Sequence, residues 1–128
     1  MLYIVDSYGW VEYFLGSVQG EIVRKLLQDE KHRFLTVECC LAEIRGWALR
    51  NEKDFDDLFK IIRANSNIMP LTEHDWIDAA LVRYQLRKKI KHFGLIDAVI
   101  LVKQKENNCK VVSGDPHFSG LKDVVYLG

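Results

Sequence analysis

Short, almost wholly apolar runs recur along this chain, and each gives way to a stretch with helical spacing. Leu2–Val5 (LYIV), Arg33–Val37 (RFLTV), residues 68–71, Lys110–Ser113 (KVVS) and residues 124–127 read as strands. Apolar runs this short, bounded by turn or capping residues, fit strands buried on both faces, as in a parallel sheet. Between them, apolar residues return every three or four positions. The sets are Trp10, Val11, Phe14 and Leu15; Ile22, Val23, Leu26 and Leu27; Leu41, Ile44 and Ala48; and Phe55, Leu58, Phe59 and Ile62. Each is one face of a helix. Gly16 stops the first helix. Thr72-Glu73-His74-Asp75 is a variant capping box that opens a helix running to about Arg87. Residues 95–106 form a further helix whose first half is apolar nearly all round, so it is expected to be buried on most sides. The order is β-α-α-β-α-α-β-α-α-β-β. Parallel strands need crossovers, and helical crossovers cover the sheet. The expected fold is α/β: a three-layer α/β/α sandwich around a mostly parallel sheet of four to five strands. Pro70 marks the run at 68–71 as an edge strand or a strand end. No linker, repeat or low-complexity segment interrupts the pattern, so residues 1–128 read as a single domain.

Eighteen basic residues balance eighteen acidic ones, which leaves a formal net charge of zero. A general electrostatic grip on nucleic acid is therefore not indicated, and any such contact has to be a local patch. Three cysteines, two of them adjacent (Cys39, Cys40 and Cys109), form neither a disulfide framework nor a C-x-x-C zinc site. They read as small buried residues in a reducing compartment. The start of the chain, MLYIVDSY, lacks a basic leader, and Asp6 breaks its apolar run. No signal peptide or membrane span is expected, and the expected location is the cytoplasm.

Four acids fall where a strand-like run gives way to a helix or loop: Asp6 after LYIV, Glu43 beyond RFLTV, Asp97 after HFGL and Asp115 after KVVS. In an open parallel sheet the carboxyl ends of the strands share one edge, where ligands bind. Asp6 and Asp115 lie just past their strands. Glu43 lies in the second turn of a helix leaving that edge, and Asp97 in the first turn of a helix whose N-terminus faces it. Carboxylates gathered this way repel, and they stay ionised together only around a positive charge. Asp97 sharpens the point: it sits in an apolar run, and no obvious partner is visible in the sequence. Oxygen donors of this kind suit Mg²⁺ or Mn²⁺, and the usual work of such a site is phosphoryl chemistry. The acids then act mainly as ligands, with no histidine placed as an obvious general base. Ser7 and Ser113 stand beside them, either as supports for a ligand or as simple caps.

These residues carry a family resemblance over nearly the whole chain. IVDSYGWVEYF at the start, LAEI around Glu43, GLIDAVILV around Asp97 and VVSGDPHFSGL around Asp115 resemble the PIN-domain ribonucleases. Among these, the chain is similar to the small VapC-type toxins of prokaryotic toxin–antitoxin pairs. The resemblance implies a PIN-like fold and an endoribonuclease dependent on Mg²⁺ or Mn²⁺, with Asp6, Glu43, Asp97 and Asp115 as catalytic metal ligands. It also implies RNA as substrate, a homodimer, and a cognate antitoxin that blocks the site. Ser113-Gly114-Asp115 keeps the family's fourth motif. Val102, Lys103 and Gln104 depart from the small residues common after the third acid. The competing readings are a non-catalytic PIN-like binding module and another acidic-pocket phosphoryl-transfer domain. All four acids are present, which weighs against the first. A single acid after the first strand, with no lysine after KVVS until Lys122, weighs against the second.

Other residues have plainer readings. Arg83, Arg87, Lys88, Lys89 and Lys91 read as a solvated helix end that offsets the macrodipole, although Arg87 and Lys88 are also candidate RNA contacts. Arg45 and His117 are further candidate substrate contacts; for His117 a structural role in its loop is the simpler expectation. Trp47 and Phe55 are core residues or part of a partner groove. His74 with Asp78 reads as a surface pair, Phe118 as a plug under its loop, and Glu12, Glu38 and Asp123 as surface acids.

Overall fold

The structure is a computed structural model that describes residues 1–128. Its strands are β1 (Leu2–Val5), β2 (Arg33–Val37), β3 (Asn67–Met69), β4 (Lys110–Ser113) and β5 (Val124–Tyr126). Its helices are α1 (Ser7–Leu15), α2 (Val18–Gln28), α3 (Glu38–Arg50), α4 (Phe55–Asn65), α5 (Glu73–Leu86) and α6 (Leu95–Asn107), with a 3₁₀ turn at Pro116–Phe118. The sheet order is β3-β2-β1-β4-β5 and every pairing is parallel. The sheet is thus wholly rather than mostly parallel. β3 is one residue earlier and shorter than the sequence indicates, because Pro70 has no N–H to continue the ladder.

The topology sets the site. From β1 the chain steps outward to β2 and β3, then crosses back to lay β4 on the other side of β1. Right-handed crossovers put α1–α4 on one face and α5–α6 on the other. The helix contacts agree: α1 packs on α2 and α3, and α5 on α6. The strand order reverses between β1 and β4, and a crevice opens beyond their carboxyl ends. Tyr3 pairs with Lys110 and Val5 with Val112, so the two strands finish level.

Local chemistry holds the ends in place. The Asp6 side chain accepts from the Gly9 N–H at 2.9 Å and caps α1, and Gly16 closes that helix in the left-handed region. A side chain at Gly20 would run into the Glu12 carbonyl, so α1 and α2 approach as closely as they do only through a glycine. Thr72 and Asp75 complete the capping box of α5 reciprocally. The core includes Ile4, Val5, Val37, Ile44, Val99, Ile100, Val111 and Val112. Trp10 is fully buried within it and donates from Nε1 to Thr36 Oγ1 at 3.1 Å. Lys103 is buried on the α5 side of α6 and paired with Asp75 at 3.1 Å and Glu106 at 2.7 Å. Its position within an apolar helix is therefore a satisfied structural one. Phe118 plugs the space under the 3₁₀ turn, edge-on to Phe93.

Candidate active site

Asp6, Glu43, Asp97 and Asp115 line one open cavity of about 280 Å³ at the carboxyl edge of β1 and β4. Asp6 ends β1 and is 6% exposed. Glu43 projects from α3 and accepts a hydrogen bond from Ser7 Oγ at 2.8 Å, which ties α3 to the start of α1. Asp97 sits in the first turn of α6, where Oδ2 accepts from the Gly94 N–H at 3.2 Å. Asp115 caps the 3₁₀ turn through the His117 N–H at 2.9 Å, and its own N–H donates to Ser113 Oγ at 3.0 Å. Ser113 is fully buried beneath the site, whereas Ser7 lines it.

The electrostatics are those of carboxylates waiting for a positive charge. Burial pushes the Asp6 carboxyl up to about 7; the Ser113 hydroxyl and the Gly9 N–H pull it down, and the charges of Asp115 and Glu43 raise it further. Glu43 is raised too, by partial burial and by Asp97 and Asp115, against the lowering effect of the Ser7 hydrogen bond. None of the four acids forms an ion pair with a lysine or arginine. The partner that the sequence did not reveal for Asp97 is His117, whose Nδ1 lies 2.9 Å from Asp97 Oδ2 and 3.6 Å from Asp115 Oδ1. Donor atoms of Asp97, Asp115 and His117 all fall within 4.8 Å of one another. The donor set, oxygen-rich and short of positive charge, fits a hard divalent cation.

A family model described as PIN domain matches residues 3–124. The chain belongs to the PIN domain family. Its fold is also that of three solved structures. One is a toxin–antitoxin complex from Klebsiella pneumoniae: 16% identity, TM-score 0.69, 98% of each chain covered. Another is VapBC2 from Rickettsia felis bound to a DNA fragment from its promoter: 15% identity, TM-score 0.72, 98% of this chain and 97% of that one. The third is VapC20 from Mycobacterium tuberculosis, described as a sarcin-ricin loop cleaving toxin: 15% identity, TM-score 0.77, 95% and 96%. At such identities the likeness is one of fold. A search of curated proteins found no match.

The remaining predicted contacts of this PIN domain scatter. His117 reaches the cluster because Pro116 starts a tight turn directly after Asp115 and folds the imidazole back over it. Arg45, Arg87 and Lys88 do not line the cavity. The Arg45 guanidinium lies 5.6 Å from the centre of the Phe55 ring. Arg87 Nε donates to the Phe93 carbonyl at 2.8 Å, which ties down the α5–α6 connection, and Lys88 lies over Tyr84 at 4.9 Å. Tyr8, Glu12, Trp47 and Arg50 line the cavity instead. A signal for two of them is present in the chain: Glu43, Trp47 and Arg50 are spaced four and three apart, on one face of α3.

Proposed function

We propose that this PIN domain is a divalent-metal-dependent endoribonuclease that hydrolyses RNA phosphodiester bonds, and that it is the toxin of a VapBC-type toxin–antitoxin pair. The observation that carries the reading is the set of four acids around one cavity, with the most buried of them raised to about 7. Solved structures of the same fold that are toxin–antitoxin assemblies support the toxin assignment and a cognate antitoxin as partner. No helix is long and apolar enough to cross a membrane, and under this reading the site of action is the cytoplasm.

Asp6, Glu43, Asp97 and Asp115 would hold Mg²⁺ or Mn²⁺, and Asp97 and Asp115 are the two whose donor atoms already lie together. When bound, the cation supplies Lewis acidity that activates water and offsets the charge developing on the phosphodiester. The protein's part is positioning. Ser7 keeps the Glu43 carboxylate turned into the cavity. Ser113 and the Gly9 N–H shift Asp6 toward its anion, and His117 fixes the rotamer of Asp97. Arg45, Arg87 and Lys88 would meet only RNA that extends beyond the cavity. The direct test is cleavage of mixed structured and single-stranded RNAs with Mg²⁺ or Mn²⁺ against EDTA. Cutting is expected with metal and none with EDTA. Cutting that persists in EDTA would remove the metal from the reading, and no cutting of any RNA with either ion would remove the nuclease.

The homodimer belongs to the same proposal. Ile77, Leu81 and Tyr84 recur four and three apart on α5, and they are 65%, 59% and 66% exposed. The first half of the helix carries the exposed acids Glu73 and Asp78, and basic residues follow its end (Arg87, Lys88, Lys89). An antiparallel pairing with a second copy about a two-fold axis covers the apolar stripe and sets each acidic end against a basic one. Leu81→Arg is expected to convert a dimer into a monomer by light scattering at micromolar concentration. A monomeric wild type would overturn the assignment.

A further inference from the structure

We propose that Trp47, Arg50 and Tyr8 form a nucleotide subsite beside the four acids, taking one unpaired base of single-stranded RNA on an aromatic ring and an adjoining phosphate on the guanidinium. The proposal rests on the RNA reading above and deepens it, since it makes an unstacked strand the substrate.

All three residues line the same cavity as the carboxylates. Arg50 is the one cation of that lining, beside the acids Asp6, Glu12, Glu43, Asp97 and Asp115. An arginine in such company would be expected to fall onto the nearest carboxylate, yet none of the ion pairs of the chain includes it. Its side chain folds back along α3 instead: a Cβ built on Gly46 would meet an Arg50 terminal nitrogen at 3.2 Å. The guanidinium therefore lies along the wall of the cavity with its donors uncommitted, an arrangement suited to phosphate.

The aromatic rings lie nearby. Trp47 is one turn before Arg50 on α3 and only partly buried. Unlike Trp10, which is fully buried with its Nε1 donating to Thr36, Trp47 keeps part of its indole at the cavity wall. Tyr8 belongs to the first turn of α1, and its ring is pressed onto the loop that carries the fourth acid. A Cβ on Gly114 would sit 2.3 Å from Tyr8 Cε1, so one edge of the ring comes this close only because residue 114 is glycine. Aromatic faces and a free guanidinium beside a phosphodiester-cleaving centre match the chemistry of an unstacked nucleotide. A base inside a duplex has both faces covered and cannot use them.

The test is binding of a 5′-fluorescein-labelled single-stranded RNA 10-mer of mixed sequence, followed by anisotropy in Ca²⁺, with the matched duplex alongside. Trp47→Ala is expected to weaken single-strand binding about tenfold and Trp47→Phe far less, since stacking contributes on that scale. Arg50→Ala, at an exposed position, is expected to weaken binding and to lower the salt slope by about one ion. In cleavage assays both alanine variants should raise KM more than they lower kcat. Wild-type affinity in both alanine variants, or a duplex bound as tightly as the single strand, would overturn the subsite. So would a loss confined to a protein partner. If no RNA is ever cut but Trp47→Ala still loses the 10-mer, the subsite stands and the nuclease reading falls. If cutting is robust and KM is unmoved in both variants, the subsite alone falls.

Discussion

Asp97→Asn is expected to reduce metal-dependent RNA cleavage by at least about a hundredfold, while the metal-free protein melts no lower than wild type. The two halves of this result have one cause. Asparagine keeps the shape of the side chain and the oxygen that accepts the Gly94 N–H. What it removes is a negative charge, and that charge is among the causes that hold Glu43 above the usual carboxylate range. Relieving the repulsion offsets the weakened contact with His117 Nδ1, which the retained oxygen still faces, and under the proposed function the same change takes a charged ligand from the cation. Asp6→Asn should behave likewise, with a larger gain in metal-free stability, because its carboxylate is the most deeply buried of the four. The oxygen that accepts the Gly9 N–H is again retained. Cleavage by the purified variants, isothermal titration of Mn²⁺ and thermal melts in EDTA are the measurements. Near-wild-type cleavage by Asp97→Asn would show that the acids are not the ligands of the reaction. Loss of activity with a matching drop in melting temperature would mean that the carboxylates serve the fold instead.

The backbone and the acidic set were legible for different reasons from the rest of the site. Residues 2–5, 33–37 and 110–113 read as strands because buried parallel strands are continuous apolar runs, and each is a strand with those bounds. The acids are legible as one set because topology alone carries strand ends and helix starts to one edge. His117 could not. Its approach to Asp97 depends on a three-residue 3₁₀ turn and spans twenty positions of sequence. Lys103 looked like a departure from the family pattern, and its partner Asp75 lies on the neighbouring helix, 28 positions away. Sequence spacing marks a helix face but not what that face meets, so only the cavity itself joins Trp47 and Arg50 to Glu43. The basic cluster at the end of α5 illustrates the converse: charge density is visible in sequence, yet Arg87 is occupied with a backbone carbonyl.

Without metal, the protein should lose stability as pH rises from 5 to 8, and Mg²⁺ or Mn²⁺ should restore it at the upper end. The Asp6 carboxyl is raised to about 7 in the fold, mainly by burial, from the usual carboxylate range. A group raised on folding favours the folded state most at low pH, where it is protonated in both states. That contribution fades as pH climbs through the unfolded value and is gone above the folded one. The window is therefore about pH 4 to 7, and a shift of this size corresponds to at most about 4 kcal/mol. Glu43 is raised as well and acts in the same direction. A cation competes with these protons, so its stabilising effect should be small at pH 5 and should grow toward pH 8. At a hundred times its dissociation constant it adds about 2.7 kcal/mol, on the order of 10 °C for a domain of this size. Melts at pH 5, 6, 7 and 8, in EDTA and in millimolar Mn²⁺, give the result directly. A metal effect that is flat across this range, or a metal-free slope unchanged in Asp6→Asn, would separate the buried carboxyl from cation binding and leave it a purely structural cap of α1.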